Sequence, residues 1–259
     1  LSVSGVALAA GSVKVFSHKV FLSPAGLVAF GNMFGIAAVI AATQEPWVRW
    51  TWVAAHTGVI WDAALEHIIL TVTAVAVGLV IATPLGLIAW RSPALREPIL
   101  GFTGTLYVIP SLALFALLIP FLGLSILTAE VGLVSYTLLI LVRNIVVGLD
   151  AVPPEVREAA LGMGYSRQEQ LLGVELPLAL PAIMAGIRIA TVTTIGLVTV
   201  TALIGEGGLG RLILQGLIND FRTPLVVGAV LSVALAIAAD VSLGLLQRAV
   251  TPWARGRPA

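Results

Sequence analysis

The sequence predicts an all-α, polytopic membrane protein, on the strength of its composition and its long uncharged stretches. Of the 259 residues, 59% are hydrophobic and 10% are charged, which is more apolar surface than a soluble domain can bury. A transmembrane helix needs about 20 consecutive apolar residues, and six stretches satisfy this requirement. Strands of a membrane β-barrel alternate polar and apolar residues over about 10 positions, and these stretches do not alternate.

The predicted spans follow one another along most of the chain. They are Val20–Ala42, Ile68–Trp90, Ile99–Leu122, Leu127–Leu149, Leu178–Ile204 and Leu225–Gln247. Several prolines and one glycine-rich turn are expected to interrupt regular helix, at Pro84, Pro110, Pro120, Pro181 and residues 205–210. Because broken helix is tolerated only against protein or water, these interruptions favour a bundle that lines a pathway.

The basic residues predict the orientation of the chain. Lys14 and Lys19 follow the apolar N-terminal stretch instead of preceding it, so residues 1–19 do not have the order of a signal peptide. Alternating spans place most basic residues on one side, namely Lys14, Lys19, Arg91, Arg96, Arg157, Arg167, Arg248, Arg255 and Arg257. Three fall on the other side, namely Arg49, Arg211 and Arg222. The positive-inside rule therefore predicts that both termini are cytoplasmic.

Composition also excludes several classes of function. A net charge of +1 does not supply the basic face of a nucleic-acid-binding protein. With no cysteine, and with His18, His56 and His67 scattered, no metal site or catalytic residue is predicted. The phosphate-binding motif G-x-x-x-x-G-K-[ST] is missing and the only lysines are Lys14 and Lys19. The chain itself is therefore expected to hold no cofactor.

The polar segment 150–177 is expected to form two short helices. Pro153 and Pro154 suit the first turn of a helix, where a missing amide hydrogen has no cost. Gly162 and Gly164 should end that helix, after which Ser166 is a candidate N-cap with Glu169 as its capping-box partner. Pro177 is expected to end the second helix.

This segment resembles the "EAA" loop of permease subunits of binding-protein-dependent ABC importers. The match includes Glu158-Ala-Ala160, Gly164 and Val174-Glu-Leu-Pro177, with valine at 174 where isoleucine is usual. In that family the loop is a coupling helix that docks on the ATPase subunit. The resemblance implies this coupling role for Glu158, Ala159, Ala160, Gly164, Val174, Leu176 and Pro177.

The resemblance extends from about residue 64 to residue 248, through Ile109–Gly123, Val142–Asn144, Glu175–Arg188 and Ala202–Gly210. These segments are similar to permeases for glycine betaine, carnitine, choline and proline. The resemblance implies a five-span permease domain over 64–248, preceded by an N-terminal segment with one extra span and an aromatic-rich external loop, and followed by a cytoplasmic tail from 249. It also implies ATPase subunits carrying ATP and Mg, a second permease, an external solute-binding protein and a prokaryotic inner membrane.

Charges inside the spans give a further prediction. A central Arg or Asp in a span costs roughly 2.5 to 3.5 kcal/mol on insertion scales and normally faces a partner. Arg188 and Asp240 lie at matching depths in the last two spans and are predicted to pair, with Arg143 as a competitor for the same acid. Tyr107, Phe115 and Tyr136 are candidates for cation–π contacts along a substrate path.

Other functions stay open from the sequence. A proton-driven carrier would need acidic residues inside the spans to relay protons, and Asp240 with Arg188 and Arg143 gives little support for such a relay. A relay through Glu66 and His67 is a further possibility. A membrane scaffold would not require the coupling loop. Within ABC importers, methionine, proline and other small solutes are alternatives to a quaternary amine.

Overall fold

The computed structural model describes residues 48–256, which are helical apart from short connections and contain no β-strand over that range. Four of their helices are long and apolar enough to cross a membrane, namely Thr57–Arg91, Ile126–Asp150, Arg167–Ile204 and Arg222–Val250. These correspond to four of the predicted spans, and the all-α prediction is confirmed. The expected first span Val20–Ala42 lies outside the described residues.

In chain order the helices are α1 (Trp50–Ala55), α2 (Thr57–Arg91), α3 (Pro93–Val108), α4 (Ser111–Leu122), α5 (Ile126–Asp150), α6 (Pro154–Gly162), α7 (Arg167–Gln170), α8 (Leu176–Val200), α9 (Leu209–Ile218) and α10 (Arg222–Val250). A π-helical turn, Leu171–Glu175, joins α7 to α8, and 3₁₀ turns follow α8 and α10 at Thr201–Ile204 and Pro252–Gly256. Helix α2 runs without interruption across residue 63, where the N-terminal segment was expected to end.

The predicted span Ile99–Leu122 is broken at Pro110, as expected, and its two parts, α3 and α4, meet at an angle of 97°. The break lies at Ile109 and Pro110. A residue that precedes proline avoids the helical region, and Ile109 is accordingly extended, with ψ of 126°. The hydroxyl of Tyr136 donates a hydrogen bond to the free carbonyl of Ile109. The described residues therefore contain four spanning helices, or five when this bent pair is taken as one span.

The other prolines do not interrupt their helices, contrary to the prediction. Pro84, Pro120 and Pro181 lie inside α2, α4 and α8. Each removes one backbone hydrogen bond, which a helix tolerates where its flanking turns pack against neighbouring helices. The predicted glycine-rich turn is confirmed, since α8 ends before it and α9 begins within it at Leu209.

Helix α5 forms the centre of the bundle and packs closely against α2 and α8. It runs parallel to α2, since Thr73 contacts Glu130 near the start of α5 and Gly86 faces Ile145 near its end. A Cβ atom on Gly78 would lie 2.0 Å from the Thr137 hydroxyl oxygen. Such small residues allow helix backbones to approach closely. This packing holds the end of α5, and the segment 150–177 that follows it, at one end of the bundle.

Candidate functional site

The predicted coupling segment begins with helix α6, which starts at Pro154 as expected. It ends in two hydrogen bonds, from the Gly164 amide to the Leu161 carbonyl (3.0 Å) and from the Tyr165 amide to the Ala160 carbonyl (3.1 Å). This is a Schellman motif, which requires a left-handed residue. Gly164 supplies it, with φ of +85°. Gly164 thus has a structural role in addition to the role implied by the family motif.

The second half of the segment differs from the prediction. Ser166 and Glu169 form the predicted capping box, which is confirmed. Pro177 does not end the helix that follows, because α7 continues through the π-helical turn into α8. Pro177 lies in the first turn of α8. The preceding π-helical turn shifts the backbone hydrogen-bond register at this point, and a missing amide hydrogen costs least in the first turn of a helix. Residues 167–204 therefore form one continuous helical rod.

The seven residues of the family motif differ in exposure. Glu158, Ala159 and Gly164 are exposed, Ala160 is buried, and Val174, Leu176 and Pro177 are half-buried. Four further apolar side chains, which were not predicted as part of the site, are exposed on the same segment and are called the coupling patch: Leu161, Met163, Tyr165 and Leu172. Apolar residues at these positions of an otherwise polar loop could have indicated this exposed patch.

A buried ion pair connects α6 to the helical rod. The Arg157 Nε atom lies 3.0 Å from Oε1 of Glu175, whose side chain is 4% exposed. Gln170 Nε2 donates to the same carboxylate oxygen at 3.1 Å, and Arg157 Nη2 donates to the Leu149 carbonyl at 2.6 Å. The guanidinium also lies over the Trp90 ring, 5.5 Å from its centroid. Arg157 therefore links α6 to the end of α5 and to the π-helical turn before α8.

Arg188 and Asp240 are in contact, as the depths of the two residues predict. Arg188 Nη2 donates to Asp240 Oδ1 at 2.8 Å and to Oδ2 at 2.9 Å. Gln247 joins the pair by accepting from Arg188 Nη1 at 3.2 Å. Arg143 does not compete, because its side chain is exposed and makes no hydrogen bond or ion pair with any residue in 48–256.

Exchanging the two charges should test what this pair does. We expect Arg188→Asp and Asp240→Arg to lower the yield of folded protein separately, because each leaves like charges together inside the bilayer. The double exchange should restore part of the yield. Detergent-extracted protein, measured by size-exclusion chromatography, is the readout. Arg143→Gln is the control and should leave the yield unchanged, and a double exchange without recovery would contradict the pairing.

The aromatic residues suggested for a substrate path lie in different environments. Phe115 is 1% exposed and packs where Gly132 leaves room on α5, so it occupies a packing position between helices. Tyr136 is also buried, with its ring 5.8 Å from that of Tyr107. Tyr107 is 39% exposed and is the one member of the three with substantial open surface.

At the opposite end of the bundle, Glu66 holds the glycine-rich turn. Its Oε1 atom accepts hydrogen bonds from the Gly207 and Gly208 amides, both at 3.1 Å, and its other oxygen pairs with Arg211. Successive amides of this kind form an anion-binding nest. The neighbouring His67 is fully buried, and its Nε2 atom lies 3.0 Å from the Ile195 carbonyl. Glu66 therefore joins α2 to the turn before α9.

Comparison with known proteins identifies the family. Residues 74–252 match the family described as binding-protein-dependent transport system inner membrane component. The chain is 39% identical over 202 residues to the osmoprotectant import permease protein OsmW of Salmonella typhimurium, covering 76% of this chain and 94% of that protein. It is also 39% identical over 188 residues to the choline transport system permease protein OpuBB of Bacillus subtilis, covering 72% and 86%.

A solved structure shows the same fold. A chain of the MetNI methionine ABC transporter superposes with a TM-score of 0.71 at 24% identity, covering 76% of this chain and 98% of that one. At this identity the likeness concerns the fold alone. The family match and the relatives, which extend over most of the described bundle, show that the chain belongs to the inner-membrane permease subunits of binding-protein-dependent ABC importers.

Proposed function

We propose that this permease conducts a methylated ammonium solute such as glycine betaine, carnitine or choline. The observation that carries the proposal is the 39% identity to two permeases named for osmoprotectant and choline transport. The charges agree with it. Few ionisable groups lie deep within the spans, and the guanidinium of Arg188 is already paired with the Asp240 carboxylate. A multiply charged anion would need several free basic donors, so a solute of little net charge fits better.

In the proposed assembly, two permeases, identical or related, enclose the pathway. Two ATPase subunits with ATP and Mg act from the cytoplasm, where both termini would lie, and a solute-binding protein delivers the solute from outside. The coupling patch and the exposed residues of α6 offer the apolar surface that the ATPase would cover. The Arg157 and Glu175 ion pair would carry the motion of α6 into α8. ATP hydrolysis would then turn the pathway from outward to inward.

Uptake by reconstituted vesicles tests the substrate class. Vesicles holding the permease, its ATPase and its binding protein should take up labelled glycine betaine, choline or carnitine when ATP is present inside. Labelled methionine is the comparison solute. Entry of methionine without the three amines would exclude the substrate class while keeping the importer. Uptake that needs a proton gradient and no ATP would instead favour a secondary carrier.

Replacing Gly164 tests the coupling role of the segment. No atom lies within 4 Å of the position of a Cβ at Gly164, so a side chain there would project into open space. We expect Gly164→Arg to abolish ATPase association and transport, because a long charged side chain would stand in the docking surface. Gly164→Asn should retain both, because asparagine tolerates the left-handed conformation. Pull-down of the ATPase and vesicle uptake are the measurements, and an arginine variant that still binds and transports would contradict the assignment.

A further inference from the structure

A groove between α2 and α5 lies at the end of the bundle away from the coupling segment. Its volume is about 820 Å³, and its walls are mainly apolar, with Ile69, Val77, Leu127 and Val131 among the lining residues. The lining includes no lysine, arginine or histidine. Ligand sites in proteins commonly have this size and an apolar lining with a few polar groups.

One carboxylate in this groove, Glu130, has no basic partner among the described residues. Glu130 is the fifth residue of α5 and lies within the apolar stretch predicted to span the membrane. The hydroxyl of Thr73 donates to it, and no ion pair joins it to any residue in 48–256. The side chain is partly exposed and lines the groove. Glu130 was not among the site residues predicted from the sequence.

An unpaired acid within a span is costly and marks an ion or substrate route in many membrane proteins. Asp62, Glu66 and Glu206 add negative charge to the same lining, although Glu66 already holds the glycine-rich turn. A cation with apolar surface complements such a groove, because its charge faces a carboxylate while its methyl groups contact aliphatic side chains. A strongly hydrated metal ion would gain little from the apolar walls.

We propose that this groove binds the methylated ammonium group of the solute, with Glu130 as its counter-ion. The proposal rests on the substrate class proposed above and assigns it a place in this chain. Glu130 supplies the charge, and the aliphatic side chains of α2 and α5 supply the contact with the methyl groups. The groove is then a binding site on the transport pathway through the outer half of the permease.

The absence of cysteine from the chain allows a direct test. Val77→Cys places one thiol in the groove, and Val80→Cys places one on the same helix outside the groove lining, at a residue that is 73% exposed. The full-length protein is treated in detergent with a trimethylammonioethyl methanethiosulfonate and with neutral methyl methanethiosulfonate. The ratio of the two modification rates reports the local preference for a methylated cation.

We expect this ratio to be about tenfold higher at position 77 than at position 80, since a carboxylate-lined cleft concentrates cations. Glu130→Gln should remove the difference, whereas Glu97→Gln, the same change at an exposed residue outside the groove, should not. Choline should slow modification at position 77, and its neutral isostere 3,3-dimethyl-1-butanol should not. An unchanged rate with the neutral reagent shows that the groove of the Glu130→Gln variant is intact.

Three results would overturn the proposal: no cationic preference at position 77, a preference that survives Glu130→Gln, or spontaneous disulfide-linked dimers through position 77. The last would show that a second copy of the chain covers the groove. Vesicle uptake separates this proposal from the substrate assignment. If the vesicles take up choline but position 77 shows no preference for the cationic reagent, the proposed binding site is wrong and the proposed substrate class stands. If position 77 prefers the cationic reagent but no amine is taken up, the proposed substrate class is wrong.

Discussion

Replacing Arg157 with alanine should destabilise the protein by about 3 kcal/mol, since removing one partner of a buried ion pair leaves the other charge uncompensated. Glu175 is the buried member, and without Arg157 it would keep only the hydrogen bond from Gln170. Glu175→Ala should cost less, because Arg157 is partly exposed and retains the Leu149 carbonyl and the Trp90 ring. Thermal unfolding of the purified protein in detergent measures both changes.

A matched control is the ion pair between Arg96 and Asp150, whose side chains are 38% and 39% exposed. Exposed pairs contribute about 0 to 1 kcal/mol, so Arg96→Ala should change the unfolding temperature little. The combination of Arg157→Met with Glu175→Gln removes both charges with little change in volume and should recover much of the lost stability. Equal effects of Arg96→Ala and Arg157→Ala would contradict the buried-pair interpretation.

Replacing Gly208 with alanine should be comparably damaging at the other end of the bundle. A Cβ atom there would lie 2.5 Å from the Ala63 carbonyl oxygen and 2.6 Å from the His67 amide nitrogen. Backbone atoms cannot move aside cheaply, so overpacking of about 1 to 3 kcal/mol adds to backbone strain of similar size. The displaced turn would also lose its hydrogen bonds to Glu66. Both unfolding temperature and ATP-dependent uptake should fall.

Gly205→Ala separates backbone strain from collision. Gly205 also has a positive φ, +93°, but no atom lies within 4 Å of the position of its Cβ. Its replacement should therefore cost only about 1 to 2 kcal/mol, the penalty for a left-handed residue. If Gly205→Ala and Gly208→Ala lower the unfolding temperature equally, the close approach to α2 is not what requires glycine at position 208.

Features that depend on neighbouring residues along the chain could be predicted from the sequence. The four long helices follow from the length of their apolar stretches, and the capping box at Ser166 follows from the spacing of two side chains. The break at Pro110 was expected, although the 97° bend was not. Pro177 is an exception, because a π-helical turn upstream lets the helix continue where a proline normally ends it.

The sequence by itself determined that this is a helical membrane protein and where its long helices lie, and it predicted a coupling role for residues 150–177. The tertiary structure decided which distant side chains meet. Glu66 contacts Arg211, which is 145 residues away along the chain, and Arg188 contacts Asp240, which is 52 residues away. Glu130 lines the groove, although the sequence around it indicates only an apolar helix. Helix formation depends on hydrogen bonds and apolar periodicity within a few turns. The register and rotation of one helix against another depend on side-chain packing, which no local pattern specifies.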